Sequence, residues 1–234
     1  MTEPGDATTF RLAYVPGVTP GKWARIWGER RPHVPLELVT ATTDEALELI
    51  RTGAVDAALV RLPIDRTGLH VIPLYTETTV AVVPKEHFVT ATEEATVADL
   101  ADETVLRPQD DALHWPADLP GRAAADAPAT TAEAFPLVAA GVGLLVVPQS
   151  LARLHHRRDL TYRPLTDAPG SSVGLAWPDA ENSVLMEEFI GIVRGRTVNS
   201  TRTPRQDRTP APTANAPKKS GTRRPARRRG ARGR

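Results

Sequence analysis

Apolar residues along this chain fall in short runs, and their spacing switches repeatedly between the strand period of two and the helical period of 3.6. FRLAYV, Phe10–Val15, is a short strand. Thr19-Pro20 follows with an N-cap residue and a proline suited to the first helical position. Trp23, Ile26 and Trp27 then recur at helical spacing until Pro32 stops the helix. Leu36–Val39 is a second strand. Thr42-Thr43-Asp44-Glu45 caps a helix with Ala46, Leu47, Leu49 and Ile50 on its apolar face, and Gly53 ends it. VDAALV, Val55–Val60, is almost continuously apolar, as a strand buried on both faces must be. Strands at Leu69–Leu74 and Thr79–Val83 complete a βαβαβ pattern, which predicts a parallel sheet with helices on both faces.

The alternation continues beyond that point. A helical turn is expected at Val97–Leu100 and strands at Thr104–Leu106, Gly143–Val147, Leu160–Pro164 and Val173–Trp177. Helices are expected at Thr131–Ala140, Gln149–His156 and Glu181–Arg196. Residues 108–128 are rich in Pro, Asp and Ala, with few apolar anchors, and are expected to be irregular.

Charge divides the chain in two. Residues 1–196 hold 17 of the 29 Lys+Arg and 27 of the 28 Asp+Glu, a net −10. Residues 197–234 hold the other 12 basic residues and one acid, a net +11, with Val198 their only large apolar side chain and five prolines. So little apolar surface cannot offset the entropy of ordering, so a disordered tail is expected. Lys218, Lys219, Arg223, Arg224, Arg227, Arg228, Arg229, Arg232 and Arg234 crowd its last 17 residues. Such a density suits neutralisation of nucleic-acid phosphates with counterion release, largely independent of sequence. The alternatives are a solubilising tail, or one folded back on the acidic body. No aromatic residue is present there for base stacking. The chain has no cysteine, which removes disulfides, thiolate nucleophiles and Cys-based zinc sites. No secretory leader and no apolar run of about 18 residues is visible, so a cytoplasmic protein without membrane contact is expected, nucleoid association being compatible with the tail.

Four stretches carry a family resemblance: FRLAYVPGVTPGKWARIWGERRP, LELVTATTDEALELIRTGAVDAALV, GLHVIPLYTETTVAVVPKEH and FPLVAAGVGLLVVPQSLARL. In this order and spacing they resemble the effector-binding (substrate-binding) domain of LysR-type transcriptional regulators. The resemblance implies an α/β fold of the type 2 periplasmic-binding-protein-like class, with two subdomains joined by two crossing strands and a ligand in the cleft between them. Residues 1–196 would form this domain: subdomain I about 10–83 and 176–196, subdomain II about 84–175, the crossings at Val80–Pro84 and Val173–Trp177. Residues 197–234 would be the tail. The family normally begins with a winged helix-turn-helix and a linker helix, and only nine residues precede the first strand here, so neither is expected in this chain. The basic tail is likewise unlike the family pattern. Pairing of subdomains is usual in the family, which implies a homodimer.

Ligands of open α/β sheets sit beyond the carboxyl ends of strands, beside helix N-termini whose free N–H groups favour anions. Gly17, Val18 and Thr19 follow the first strand, and the family places ligand contacts in this loop; Thr19 as a plain helix cap is the alternative. Thr42 and Thr43 follow the second strand and match a family position that contacts effector, with capping again the alternative. Arg61 follows the third strand and can reach an acidic ligand bidentately; its other reading is a surface arginine paired with Asp65 or Glu77. Arg107 and Thr131 are the cleft candidates of the second subdomain. Asp110-Asp111 and His155-His156 read as solvated charge, and the tryptophans as packing residues, with Trp115 placed to roof the cleft.

No G-x-S-x-G occurs, Gly141-Val142-Gly143 joins a helix to a strand rather than the reverse, and the histidines lack metal-ligand spacing. No enzyme, cofactor or metal is therefore expected. The resulting expectation is a sensor of a small, anionic molecule that touches DNA or RNA through its tail. The alternative is a ligand-binding module without nucleic-acid activity.

Overall fold

The computed structural model describes residues 9–115, 120–180 and 182–196. The five tail prolines and the nine basic residues from Lys218 to Arg234 lie outside the described residues. The elements follow the apolar pattern closely. In the first half they are β1 (Phe10–Tyr14), α1 (Gly21–Arg30), β2 (Leu36–Thr40), α2 (Thr43–Arg51), β3 (Ala57–Leu62), β4 (Leu69–Glu77) and β5 (Thr79–Pro84). Then come β6 (Thr104–Leu106), the two-residue β7 (Arg122–Ala123), α3 (Thr131–Ala139), β8 (Leu144–Pro148), α4 (Gln149–Leu154), β9 (Leu160–Pro164), β10 (Ser171–Pro178) and α5 (Val184–Val193). Short 3₁₀ turns occupy Phe88–Ala91 and Ala98–Leu100.

These strands form two five-stranded sheets, ordered β2-β1-β3-β10-β4 and β7-β6-β8-β5-β9. The two orders are the same pattern. In each lobe three strands run parallel, and the fourth place is taken by an antiparallel strand that has just arrived from the other lobe. The chain leaves the first sheet after Glu77 and enters the second at Thr79; it returns through residues 165–170 to Ser171. Thr79 Oγ1 donates to Pro169 O at 2.5 Å, tying the two connections together.

Three expectations change here. Val80–Pro84 and Val173–Trp177 are not crossings: β5 lies wholly in the second sheet and β10 wholly in the first, so the lobes exchange near residue 78 and near 165–170. The first sheet is mixed, because β10 enters antiparallel between β3 and β4. Local periodicity reports that a strand is buried, not which neighbour it finds. Finally, Thr19 does not cap α1. Pro20 holds the N-cap place, with no side-chain cap bond, and its carbonyl accepts from Ala24 N at 2.9 Å.

The cores follow from the strand period. In β3 every residue from Ala57 to Arg61 is buried, so both faces of this central strand are covered. Phe10, Trp27 and Phe189 meet at centroid distances of 4.8, 5.0 and 5.8 Å and join α1 and α5 to the sheet. The Trp27 indole N–H donates to Val34 O at 2.9 Å, so its one polar atom is satisfied. In the second lobe, Val80 and Val82 of β5 and Leu145 and Val147 of β8 face a core shared with α3 and α4. The alternate residues Ala81, Val83, Leu144 and Val146 face a second core beneath the loops, where Trp115 also packs.

Candidate functional site

A cleft of about 1650 Å³ opens between the lobes, at the ends of β1, β2 and β3 on one side and beside α3 and α4 on the other. Each of the sequence candidates can be placed against it. Gly17, Val18 and Thr19 line it: Gly17 adopts φ +86, Val18 is buried, and Thr19, freed from capping, is exposed toward it. Thr42 and Thr43 line it too, although Thr42 is spoken for. Its hydroxyl oxygen accepts from Glu45 N at 3.3 Å while Glu45 Oε2 accepts from Thr42 N at 2.8 Å, a complete capping box. The Thr42 N–H and the Thr42 hydroxyl both donate to Glu45 Oε2, which holds the Glu45 carboxyl below its usual range. Thr131 lines the cleft from the far lobe. Arg107, half-buried beyond the end of β6, is not among the lining residues.

Arg61 is in the cleft floor, but not as a surface arginine. Its side chain is 6% exposed and that of its partner Glu77 10%. Arg61 Nη1 donates to Glu77 Oε2 at 2.7 Å and to Ser171 Oγ at 3.0 Å; Nη2 donates to Pro16 O and to Ser150 Oγ, both at 3.1 Å. The guanidinium is thus bound by protein groups on both of its terminal nitrogens. A fork already filled this way has little left to offer a carboxylate ligand.

Two groups read from sequence as solvated charge belong to the cleft instead. Asp110 Oδ1 accepts from Thr131 N at 2.6 Å and from Thr131 Oγ1 at 2.8 Å, so a resident carboxylate occupies the N-terminus of α3. Asp111 is half-buried, and loss of hydration pushes its carboxyl above the ordinary Asp value, against the pull of the Leu113 N–H. His155 also lines the cleft, its ring 4.9 Å from Phe135, and burial lowers its pKa. Sequence proximity could not have found these contacts: Asp110 reaches Thr131 across 21 positions and Arg61 reaches Ser150 across 89. The signal that existed was the Pro/Asp-rich segment 108–128, from which Asp110 bonds Thr131 and Ala112 and Ala124 pack against the core shared with α3.

The ionised lining comprises Asp44, Glu77, Asp110 and Asp111 against Arg61 and Arg153. With the Arg61–Glu77 pair closed on itself, three carboxylates remain against one guanidinium. Among the described residues, nine that bear hydroxyls, including Tyr14, Tyr75, Thr40 and Ser150, share the rest of the lining with a larger number of apolar and backbone-exposing residues such as Val15, Val18, Leu38, Leu151 and Leu154.

A family model described as the LysR substrate binding domain matches residues 5–197. The chain is 30% identical over 181 residues to a probable hydrogen peroxide-inducible genes activator of Mycobacterium avium, covering 72% of this chain and 58% of that protein. It is 27% identical over 195 residues to the HTH-type transcriptional regulator AlsR of Bacillus subtilis, covering 78% and 63%. The chain therefore spans less than two thirds of the length of these relatives. Among solved structures, the BenM effector binding domain with its effector benzoate superimposes with a TM-score of 0.67 at 22% identity, over 80% of this chain and 91% of that one. The oxidised form of OxyR gives 0.67 at 21%, over 81% and 96%.

Proposed function

Because the chain belongs to the LysR substrate-binding domain family, we propose that it is a sensing part of transcriptional regulation, in which a small molecule enters the interlobe cleft and shifts the arrangement of the lobes. The observation that carries this reading is the cleft itself: a wide cavity between two like-built lobes, lined by strand ends with apolar, hydroxyl and carboxylate side chains. A ligand can shift such an equilibrium only through differential contact with open and closed forms, and a site lined from both lobes supplies that.

The anionic ligand expected from sequence loses its main support here. Arg61 is engaged by Glu77, and the α3 N-terminus is filled by Asp110. An uncharged molecule, or one carrying a protonated amine, suits the surplus of carboxylates better. Benzoate, benzamide and benzylamine share one ring and differ in charge, so a thermal-shift series with such matched sets, extended over other organic acids, amides and amines, separates the classes. Stabilisation by acids alone would overturn this assignment. The sequence has no cysteine, so thiol oxidation is not a chemistry open to it.

The tail from Lys218 to Arg234 is read as a non-specific contact to DNA or RNA phosphates, on its charge alone. Gel-shift titrations of the full chain and of residues 1–196 test it. The full chain should bind with an affinity that falls steeply with salt, the shortened one should not, and equal binding by both sinks the idea.

A further inference from the structure

We infer that Ser150, held between Arg61 and Glu77, is an interlobe latch that limits how far the cleft opens. Arg61 is the penultimate residue of β3, Glu77 ends β4 and Ser171 begins β10, so all three belong to the first lobe. Ser150 lies on α4, which packs on β5 and β8 of the second. Its hydroxyl donates to Glu77 Oε2 at 2.9 Å and accepts from Arg61 Nη2 at 3.1 Å. Both bonds therefore run from one lobe to the other, and both are to charged groups.

The position of the cluster fits this role. Glu77 and Ser171 flank the two covalent connections between the lobes, and Gln149, the residue before Ser150, donates its N–H to Thr78 O in the first connection at 2.9 Å. The latch thus sits at the hinge on its cleft side, where a rotation that widens the cleft must stretch both Ser150 bonds to the ion pair. Opening does not orphan a buried charge. Arg61 keeps Glu77, Ser171 and Pro16 O within its own lobe. Two charge-assisted hydrogen bonds are exchanged for water, a cost that shifts an open–closed ratio by on the order of a hundredfold or more.

Gly17 supports the same assignment independently. A Cβ at this residue would lie 2.6 Å from Ser150 Oγ and 3.1 Å from Arg61 Nη2. The first-lobe loop and the second-lobe helix approach closely enough to need a residue without a side chain, which also meets the φ of +86.

The inference rests on the two-lobed sensing reading, and its test needs no ligand. The chain has no cysteine, so replacing exposed Glu48 on α2 and Glu133 on α3 by cysteine gives one spin label per lobe in the full chain. Pulsed dipolar spectroscopy then reads the interlobe distance distribution. Ser150→Ala should move or broaden it toward longer distances, and Gly17→Ala should displace it by wedging the contact. Ser171→Ala removes a partner of Arg61 inside the first lobe and should leave it unchanged. Unaltered distances in Ser150→Ala and Gly17→Ala, or an equal change in Ser171→Ala, would overturn the latch. Because no ligand is added, a failed ligand search would count against the sensing reading alone.

Discussion

Replacing Glu77 by alanine strips the counter-charge from a guanidinium whose side chain is 6% exposed. Ser171, Ser150 and Pro16 O remain as neutral acceptors, so hydrogen bonds survive but charge balance does not. Breaking one side of a buried pair costs about 3–5 kcal/mol, and at this depth solvent screening gives little relief. For a domain of this size about 2–4 °C of melting temperature is lost per kcal/mol, so Glu77→Ala should melt roughly 6–20 °C lower. Glu77→Gln keeps an oxygen acceptor and loses only the charge; it should fall between the parent and Glu77→Ala. The double variant Arg61→Met with Glu77→Leu fills the same space without an orphan charge and should recover most of the loss. Calorimetry and urea unfolding of the four proteins give the answer. A loss below about 1 kcal/mol for Glu77→Ala, or a double variant no more stable than Glu77→Ala, would show that the pair is not buried and coupled as argued.

Asp111 titrates with the opposite sign to a paired carboxylate. Its folded pKa lies above the unfolded value, so the native state binds the proton more tightly and the ionised carboxyl destabilises at neutral pH. Asp111→Asn, which retains an oxygen for the Leu113 N–H, should melt higher than the parent at pH 7, with the gap closing as pH falls toward the ordinary Asp value of 3.8; a gap independent of pH would refute this. Gly121→Ala should cost at least about 2 kcal/mol, because φ is +72 and the new Cβ would meet Glu103 O at 2.6 Å and Leu100 O at 2.7 Å, neither of which can turn away. Gly53→Ala, at φ +71 with open space around it, should cost only about 1 kcal/mol, and equal losses in the two would remove the steric argument. Phe189→Ala should cost about 3–5 kcal/mol in urea unfolding, since Phe10 and Trp27 cannot both collapse into the space it leaves.

By itself the sequence determined what depends on neighbours a few positions away. The alternation that buries Val80 with Val82 and Ala81 with Val83, the Thr42–Glu45 capping box and the glycine that ends α2 are local devices, and β6 and β9 appear at the residues the pattern indicates. The four motif stretches carried the family, and with it the two-lobed architecture. Tertiary structure alone decided where β10 inserts, because an apolar strand satisfies its period equally well beside several partners. It alone buried the Arg61–Glu77 pair, which the sequence offered as a surface contact, and closed it with Ser150, and it turned Asp110 from surface charge into the occupant of a helix terminus. A side chain's chemistry is written in its formula, but whether its charge is available depends on what the fold brings within about 3 Å of it.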